Sequence, residues 1–512
     1  LIFVYIQVPV QRFVRGPKIS SSSFCLASVQ FCCLLTMTTL ATVWLVLPLF
    51  VGFCIYLLPR VDRWLALSIT MTSLLFGGLL VFQQHALSLR LLDNFGVSLR
   101  LDVQSGFFIL TNALVTAAVI LYCWHSDRRP YFYTQLSILH GCLNSIFACD
   151  DFISVYVALE CASIAVFLLI AHGRTERTLW VALRYLFVSN TAMLFYLMGA
   201  MLVYQATYSF AFSGLSQAPI DAIAFILVGL LTKGGVFVSG LWLPLTHSES
   251  EVPVSAMLSG VAIKAGIFPL LRCAELLEGV NVTIRIFAVG TALFGAFFAI
   301  FERDIKRVFA LSTISQMGFV LAVPAVGGGY ALSHGLAKAA LFLATSALPS
   351  RRLDELRQQP MSHQAWGIMA IAGLSIAGMP LLAGFGAKSL VLKQVLPWQV
   401  IAMNVAAVGT AIVFARLLFL PHVVDSKKSV SSGLQAAAVL LIGGLILANA
   451  AYWEAYSVSN GVKAIATIGL GWLGYALVCR FTLKLAPAME QLENLIGVMS
   501  LVLIGLFSWA LV

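Results

Sequence analysis

The chain has 512 residues, 60% of them hydrophobic and only 10% charged, with a mean hydropathy of +0.96. Soluble domains are about half apolar and a quarter charged, so most of this surface must face lipid and a water-soluble enzyme is excluded. The net charge of +10 falls in short clusters between apolar runs, which marks membrane orientation rather than nucleic-acid binding.

Residues 1–36 fit the rest poorly. Arg12, Arg15 and Lys18 precede Ser20 to Ser23, and no small-residue cleavage site follows. Met37 opens a clean apolar stretch, so an over-extended N-terminus with the start at Met37 is expected. Apolar runs of spanning length then recur at about 40–58, 64–84, 106–124, 131–149, 152–171, 181–204, 221–243 and 253–272. They continue at about 282–301, 305–325, 329–347, 365–385, 399–420, 434–453, 463–482 and 494–511. Only helices or closed barrels satisfy the backbone in lipid, and barrel strands would alternate over about ten residues. Sixteen helices are therefore predicted.

Loop charge gives an orientation. The loops after helices 1, 3, 5, 9, 11 and 13 are basic (for example Arg128, Arg129, Arg303, Arg307, Arg351, Lys427 and Lys428), whereas Asp150, Asp151 and Asp221 follow even helices. The odd loops are thus expected on the cytoplasmic or stromal side. The loop after helix 7 breaks parity with Glu249 and Glu251. Either helix 7 is interrupted with a re-entrant tail, or that loop is simply acidic.

A charge at mid-bilayer costs at least about 2.5 kcal/mol, so an intramembrane ionisable side chain is a candidate functional group. Glu160 lies inside SVYVALECASIAVFLLI, and Lys233 ends FILVGLLTK before Gly234 and Gly235. Lys264 is central in SAMLSGVAIKAGIFPLL, and His334 and Lys338 sit one turn apart in ALSHGLAKAALFLA. Lys388 follows LLAGFGA. Taken singly, Lys233 or Lys388 could snorkel to an interface, Glu160 could pair with a structural arginine, and His334 could be a packing residue. Four lysines and a glutamate recurring in apolar segments favour a relay. Desolvation disfavours a charged lysine while a nearby carboxylate favours it, so shifting Glu160 relative to Lys233 would decide whether that lysine holds its proton. The glycines beside Lys233 and Lys388 predict broken helices, as at transporter ion sites. The ten cysteines contain no CxxC pair or cluster spacing, and no GxGxxG or Walker loop is present. No metal, nucleotide or redox cofactor is expected.

LTKGGVFVSGLWLPLTHSESEVPVSAMLSGVAIKAGIFPLLR (231–272), RDIKRVFALSTISQMGF (303–319), SHGLAKAALFL (333–343), AGMPLLAGFGAKSLVL (377–392) and DDFISVYVALE (150–160) carry a resemblance. In this order they resemble the antiporter-like, proton-conducting membrane subunits shared by complex I and Mrp-type cation/proton antiporters. The resemblance implies an all-α integral membrane protein with a fourteen-helix core of two inverted five-helix repeats with broken helices, plus about two extra C-terminal helices. The blocks expected are 37–130 (N-terminal helices), 131–272 and 282–420 (the two repeats) and 434–512 (C-terminal helices). It implies Glu160 and Lys233 as a coupling pair, Lys264, His334 and Lys338 as central relay groups, and Lys388 at the exit side.

The resemblance also implies other membrane subunits as partners, in a bacterial plasma membrane or thylakoid. The leading expectation is a proton-translocating, non-redox subunit of an NADH-quinone oxidoreductase-like complex. A Na⁺/H⁺ antiporter subunit is the alternative, and a proton-coupled partner of inorganic-carbon uptake a third. Ser259 stands where some members place a histidine, which argues against the most distal complex I type. LTHSESE replaces the usual A-H-x-x-A-P stretch.

Overall fold

Backbone groups in an apolar run have no partner but one another, and helix follows. The computed structural model describes residues 21–83, 86–92, 96–423, 430–478 and 486–510. It begins with α1 (Ser21–Leu57) and α2 (Asp62–Gln83), then a hairpin, β1 (Leu87–Leu92) and β2 (Gly96–Leu101). Next come α3 (Val103–Tyr122), α4 (Pro130–Ala148), α5 (Phe152–Ile170), α6 (Glu176–Thr207), α7 (Ile220–Lys233), α8 (Trp242–Glu249), α9 (Val252–Met257) and α10 (Lys264–Leu276). The second half holds α11 (Glu278–Phe301), α12 (Ile305–Ala322), α13 (Gly327–Ala344), the short α14 (Leu353–Leu356), α15 (His363–Ala377), α16 (Ala383–Gln394) and α17 (Val400–Leu418). The chain closes with α18 (Ser432–Ala450), α19 (Val458–Val478) and α20 (Leu492–Ala510). Residues 1–20, on which most of the expectation about the N-terminus rests, lie outside the described residues, as do Lys427 and Lys428.

Over the described residues, all sixteen apolar runs fall largely on helix. Among the described residues, ten helical stretches are long and apolar enough to cross a membrane, and an eleventh is α12 with the following segment Pro324–Ala347, bent by 110°. Two small sheets depart from an all-helical chain. The β1–β2 hairpin pairs Leu89 with Leu99 in antiparallel register, and the two-residue strands β3 (Met361–Ser362) and β4 (His422–Val423) pair in parallel. LSLRLL and GVSLRL alternate at period two, a signal too short to stand out between long apolar runs. The hairpin is pinned on α5: Asp151 accepts from the Ser98 backbone N–H at 2.8 Å and caps the helix through Ser154 N at 2.7 Å.

The bundle has an inside and a lipid-facing outside. The described side chains of α13 are all buried, as are nearly all those of α12. By contrast Phe50, Phe82, Trp180, Leu447 and Leu477 stand exposed on peripheral helices. Ion pairs sort the ends of the helices into two faces. Glu251 binds Arg128 at 2.7 Å and Glu249 binds Arg177 at 3.1 Å. The acidic loop after the seventh span therefore lies against the basic loops after the third and fifth, keeping parity, and its acids partner their arginines. The span itself is interrupted, between α7 and α8. Arg303–Asp354, Arg351–Asp304 and Arg307–Glu490 join further odd connections.

Candidate ion pathway

Lys233 is the last residue of α7, and the helix ends there because Gly235 takes a left-handed conformation, φ +64°. The break is tightly wedged. A Cβ on Gly266 of α10 would lie 2.3 Å from Gly234 N and 2.7 Å from the Lys233 carbonyl carbon, so only glycine permits the approach. The indole N–H of Trp242 donates to Thr232 O at 3.0 Å, satisfying one of the released carbonyls. The Lys233 ammonium donates to the hydroxyls of Ser163 on α5 and Ser189 on α6, and the Tyr185 ring lies 5.6 Å away. Glu160 sits one turn before Ser163, with Oε1 buried and making no hydrogen bond. The structure brings Glu160 and Lys233 within electrostatic reach, but hydroxyls, not the carboxylate, hold the lysine.

Lys264 is fully buried. Residues Leu258–Ala262 form a π turn, closed by Ile263 N donating to Leu258 O at 3.1 Å. The wider turn frees carbonyls from the α-helical ladder, and Lys264 Nζ takes two of them, Ser259 O at 3.1 Å and Gly260 O at 2.5 Å. Ser259 shares a 2.7 Å bond with Thr313 Oγ1.

His334 and Lys338 enter on α13, one turn apart and both buried. A Cβ on Gly335 would meet Thr111 Cγ2 at 2.4 Å and lie 3.5 Å from Lys264 Nζ, so this glycine brings α13 against the π turn. His334 is within electrostatic reach of both Lys264 and Lys338, and neither ring nitrogen makes a hydrogen bond. Lys338 Nζ donates to Phe309 O of α12 at 2.9 Å and packs on the Phe309 and Phe414 rings at 5.7 and 5.6 Å. Lys388 lies beyond the second break, where Gly378 has φ +95°. Its ammonium donates to Ile376 O at 2.8 Å, at the C-terminus of α15, where a cation meets the negative end of the helix dipole.

Sequence reading missed four groups. His247 of α8 stacks on Phe342 at 4.5 Å, has no hydrogen bond on either nitrogen, and feels both Lys338 and Lys306. Lys306 donates to Ser250 O at 2.7 Å, near the basic loops. Both lie in stretches singled out for their motif, but next to loops, where charge is unremarkable. Between Lys338 and Lys388, Tyr330 donates to Gln316 Oε1 at 2.6 Å, and Gln316 donates to Thr410 at 3.1 Å. Phe319 stacks on Tyr330 and also lies 5.0 Å from Lys388 Nζ. Lastly, His140 bonds Ser73 at 2.9 Å within a buried set that includes Asn112 and Asn144. Such neutral polar clusters join helices in lipid and leave no charge signature in the sequence.

At the opposite face from the basic loops, Arg272 grips Asp102 through both terminal nitrogens at 2.7 and 2.8 Å. Burial alone would raise the Asp102 carboxyl, but the bonds and charge of Arg272, with the Ser105 N–H and Arg100, together hold it below its ordinary value. This pair ties the start of α3 to the end of α10.

Fold and side chains together define a multi-pass integral membrane protein whose centre holds lysines and histidines. A family model described as NADH:quinone oxidoreductase/Mrp antiporter, TM, matches residues 149–414, just over half of the 512 residues, and the chain belongs to that family. It is 32% identical over 365 residues to the putative antiporter subunit mnhA2 of Staphylococcus aureus (strain MRSA252), covering 61% of this chain and 45% of that one. It is 27% identical over 420 residues to NAD(P)H-quinone oxidoreductase chain 4-2 of Synechocystis, covering 72% and 75%. NADH-quinone oxidoreductase subunit N of Desulforudis audaxviator is 29% identical over 365 residues, covering 63% and 72%. The chain thus spans less than half the length of the Staphylococcus protein. Its fold matches a chain of the Mrp complex from Dietzia with a TM-score of 0.71, at 23% identity over 92% of this chain and 59% of that one. It also matches a chain of an archaeal membrane-bound sulfane sulfur reductase with a TM-score of 0.71, at 19% identity over 85% and 99%. The chain is an antiporter-like membrane subunit, similar to subunits of multi-subunit membrane complexes.

Proposed function

We propose that the chain is a proton-translocating subunit of an NADH-quinone oxidoreductase-like complex, passing protons along Glu160, Lys233, Lys264, His334, Lys338 and Lys388. On this reading the helices form a fourteen-helix core of two inverted five-helix repeats, with α19 and α20 outside it. The observation that carries it is the way the four lysines are held. Among the described residues, each donates to neutral hydroxyls or carbonyls and none is locked in an ion pair with a carboxylate. A lysine held by dipoles can release its proton without leaving an unpaired carboxylate behind. His247 and Lys306 extend the row toward the basic face, and Gln316 with Tyr330 spans the interval between Lys338 and Lys388. Similarity to the Staphylococcus protein supports a second reading, a subunit of a multi-subunit Na⁺/H⁺ antiporter. Co-purification in mild detergent decides between them: peripheral subunits with iron–sulfur clusters support the first, small membrane partners alone the second.

The relay is tested by proton translocation per folded complex. Lys233→Ala should abolish it, and Glu160→Gln should uncouple it with the fold intact. Lys233→Arg should be nearly as damaging as Ala, because a guanidinium does not release its proton. Near-normal pumping by Lys233→Arg would refute the relay role of that residue.

A further inference from the structure

A cleft of about 390 Å³ opens between α16, α17 and α19, and three of its polar side chains are lysines: Lys388, Lys393 and Lys463. Its remaining polar side chains are neutral, Ser389, Asn404, Asn460 and Thr467, and no carboxylate lines it. Lys393 and Lys463 are exposed and form no ion pair among the described residues. Lys388 is buried, with one donor spent on Ile376 O. Three lysines line one cavity with no carboxylate among them, an excess of positive charge that an anion would offset. The cavity is too roomy for a monatomic ion alone, and part of its wall is apolar, Phe385, Leu392, Ala407 and Ala464. Apolar side chains on the same helices, Ile401 and Ile465, stand exposed, where acyl chains would lie. Basic pockets between transmembrane helices suit anionic headgroups, and lysine binds phosphate as a point charge.

We propose that this cleft binds the phosphate group of an anionic lipid, bridging α16 to α19. The site gives α19 a role that the translocation reading leaves open: it completes the wall beside Lys388 and sets the field there through what the cleft holds. Only Lys388 is shared with the proposed relay.

The test is native mass spectrometry of the full chain in its complex, exchanged into phosphatidylglycerol or phosphatidylcholine, with inorganic phosphate as a separate arm. Wild type should retain phosphatidylglycerol over phosphatidylcholine. The double variant Lys393→Gln/Lys463→Gln should retain it roughly 10–30-fold less well, and the Lys393→Arg/Lys463→Arg variant should behave like wild type. Equal retention by wild type and the Gln variant would overturn the site. No lipid preference, together with phosphate binding lost in the Gln variant, would overturn the lipid as its source. Lipid retention is read without transport, so failure here leaves the relay untouched, and failure of the relay leaves this site standing.

Discussion

Gly266→Ala is the smallest change that should disable the centre without touching an ionisable group. The added Cβ would meet Gly234 N at 2.3 Å and the Lys233 carbonyl carbon at 2.7 Å, where ordinary contact begins at 3.4 Å. Both are backbone atoms, so α10 and the end of α7 must separate by about 1 Å (3.4 minus 2.3). Overpacking of this kind costs about 1–3 kcal/mol, which a bundle of this size survives. The displacement falls on Lys233, whose ammonium is set between Ser163 and Ser189, and a misplacement near 1 Å can cost on the order of 100-fold in rate. Gly279→Ala is the control, since a Cβ there has nothing within 4 Å. Proton uptake into proteoliposomes or membrane vesicles, normalised to folded complex, should fall by one to two orders of magnitude for Gly266→Ala and stay unchanged for Gly279→Ala. A Gly266→Ala variant that folds and transports normally would show that the wedge at the break does not set the position of Lys233.

Two further expectations come from other contacts. Tyr330→Phe keeps the stack on Phe319 but removes the 2.6 Å bond to Gln316; it should lose about 1 kcal/mol of stability and slow proton transfer severalfold, and an unchanged rate would remove Gln316 and Tyr330 from the path. Asp102→Asn takes the nearer carboxylate from buried Arg272 and leaves it Glu275 at 3.5 Å; it should cost about 2 kcal/mol at neutral pH in detergent unfolding. Because the Asp102 carboxyl is held below its ordinary value of 3.8, its contribution is full above that pH and is lost as pH falls through the depressed value. The wild-type and Asn melting curves should therefore converge in strong acid, and parallel curves across that range would refute the assignment.

The long apolar runs made every large helix legible, and scarcity of charge made Lys233, Lys264, Lys338 and Lys388 stand out. What holds those lysines was not legible. Backbone carbonyls carry no residue identity, so the π turn that receives Lys264 and the helix end that receives Lys388 are invisible in composition. The acids Glu249 and Glu251 looked like a break in orientation because sequence shows which loop carries a charge, not which loop lies beside it. His247 and Lys306 sit near helix ends, where polar residues are expected, so the sequence does not mark them although both are buried. Gly266 lies within a motif, yet its importance comes from its approach to Gly234, 32 positions earlier.

Two ways of holding a buried or half-buried cation recur among the described residues. At the faces, arginines meet carboxylates: Arg272 with Asp102, Arg307 with Glu302 and Glu490, Arg128 with Glu251. Those charges are fixed, since a guanidinium keeps its proton and removing either partner strands the other. In the interior the cations are lysines, and their partners are serine hydroxyls, π-turn carbonyls, the Phe309 carbonyl and the end of α15. Each of these partners is neutral and remains neutral after a proton leaves, so both charge states of the lysine leave the surrounding groups intact. A π turn and a helix end supply the partners of Lys264 and Lys388, because both release carbonyls from the helical ladder. The turn at Leu258–Ala262 and the end of α15 before Gly378 therefore solvate an ammonium group with backbone, whereas at the Gly235 break the hydroxyls of Ser163 and Ser189 do so.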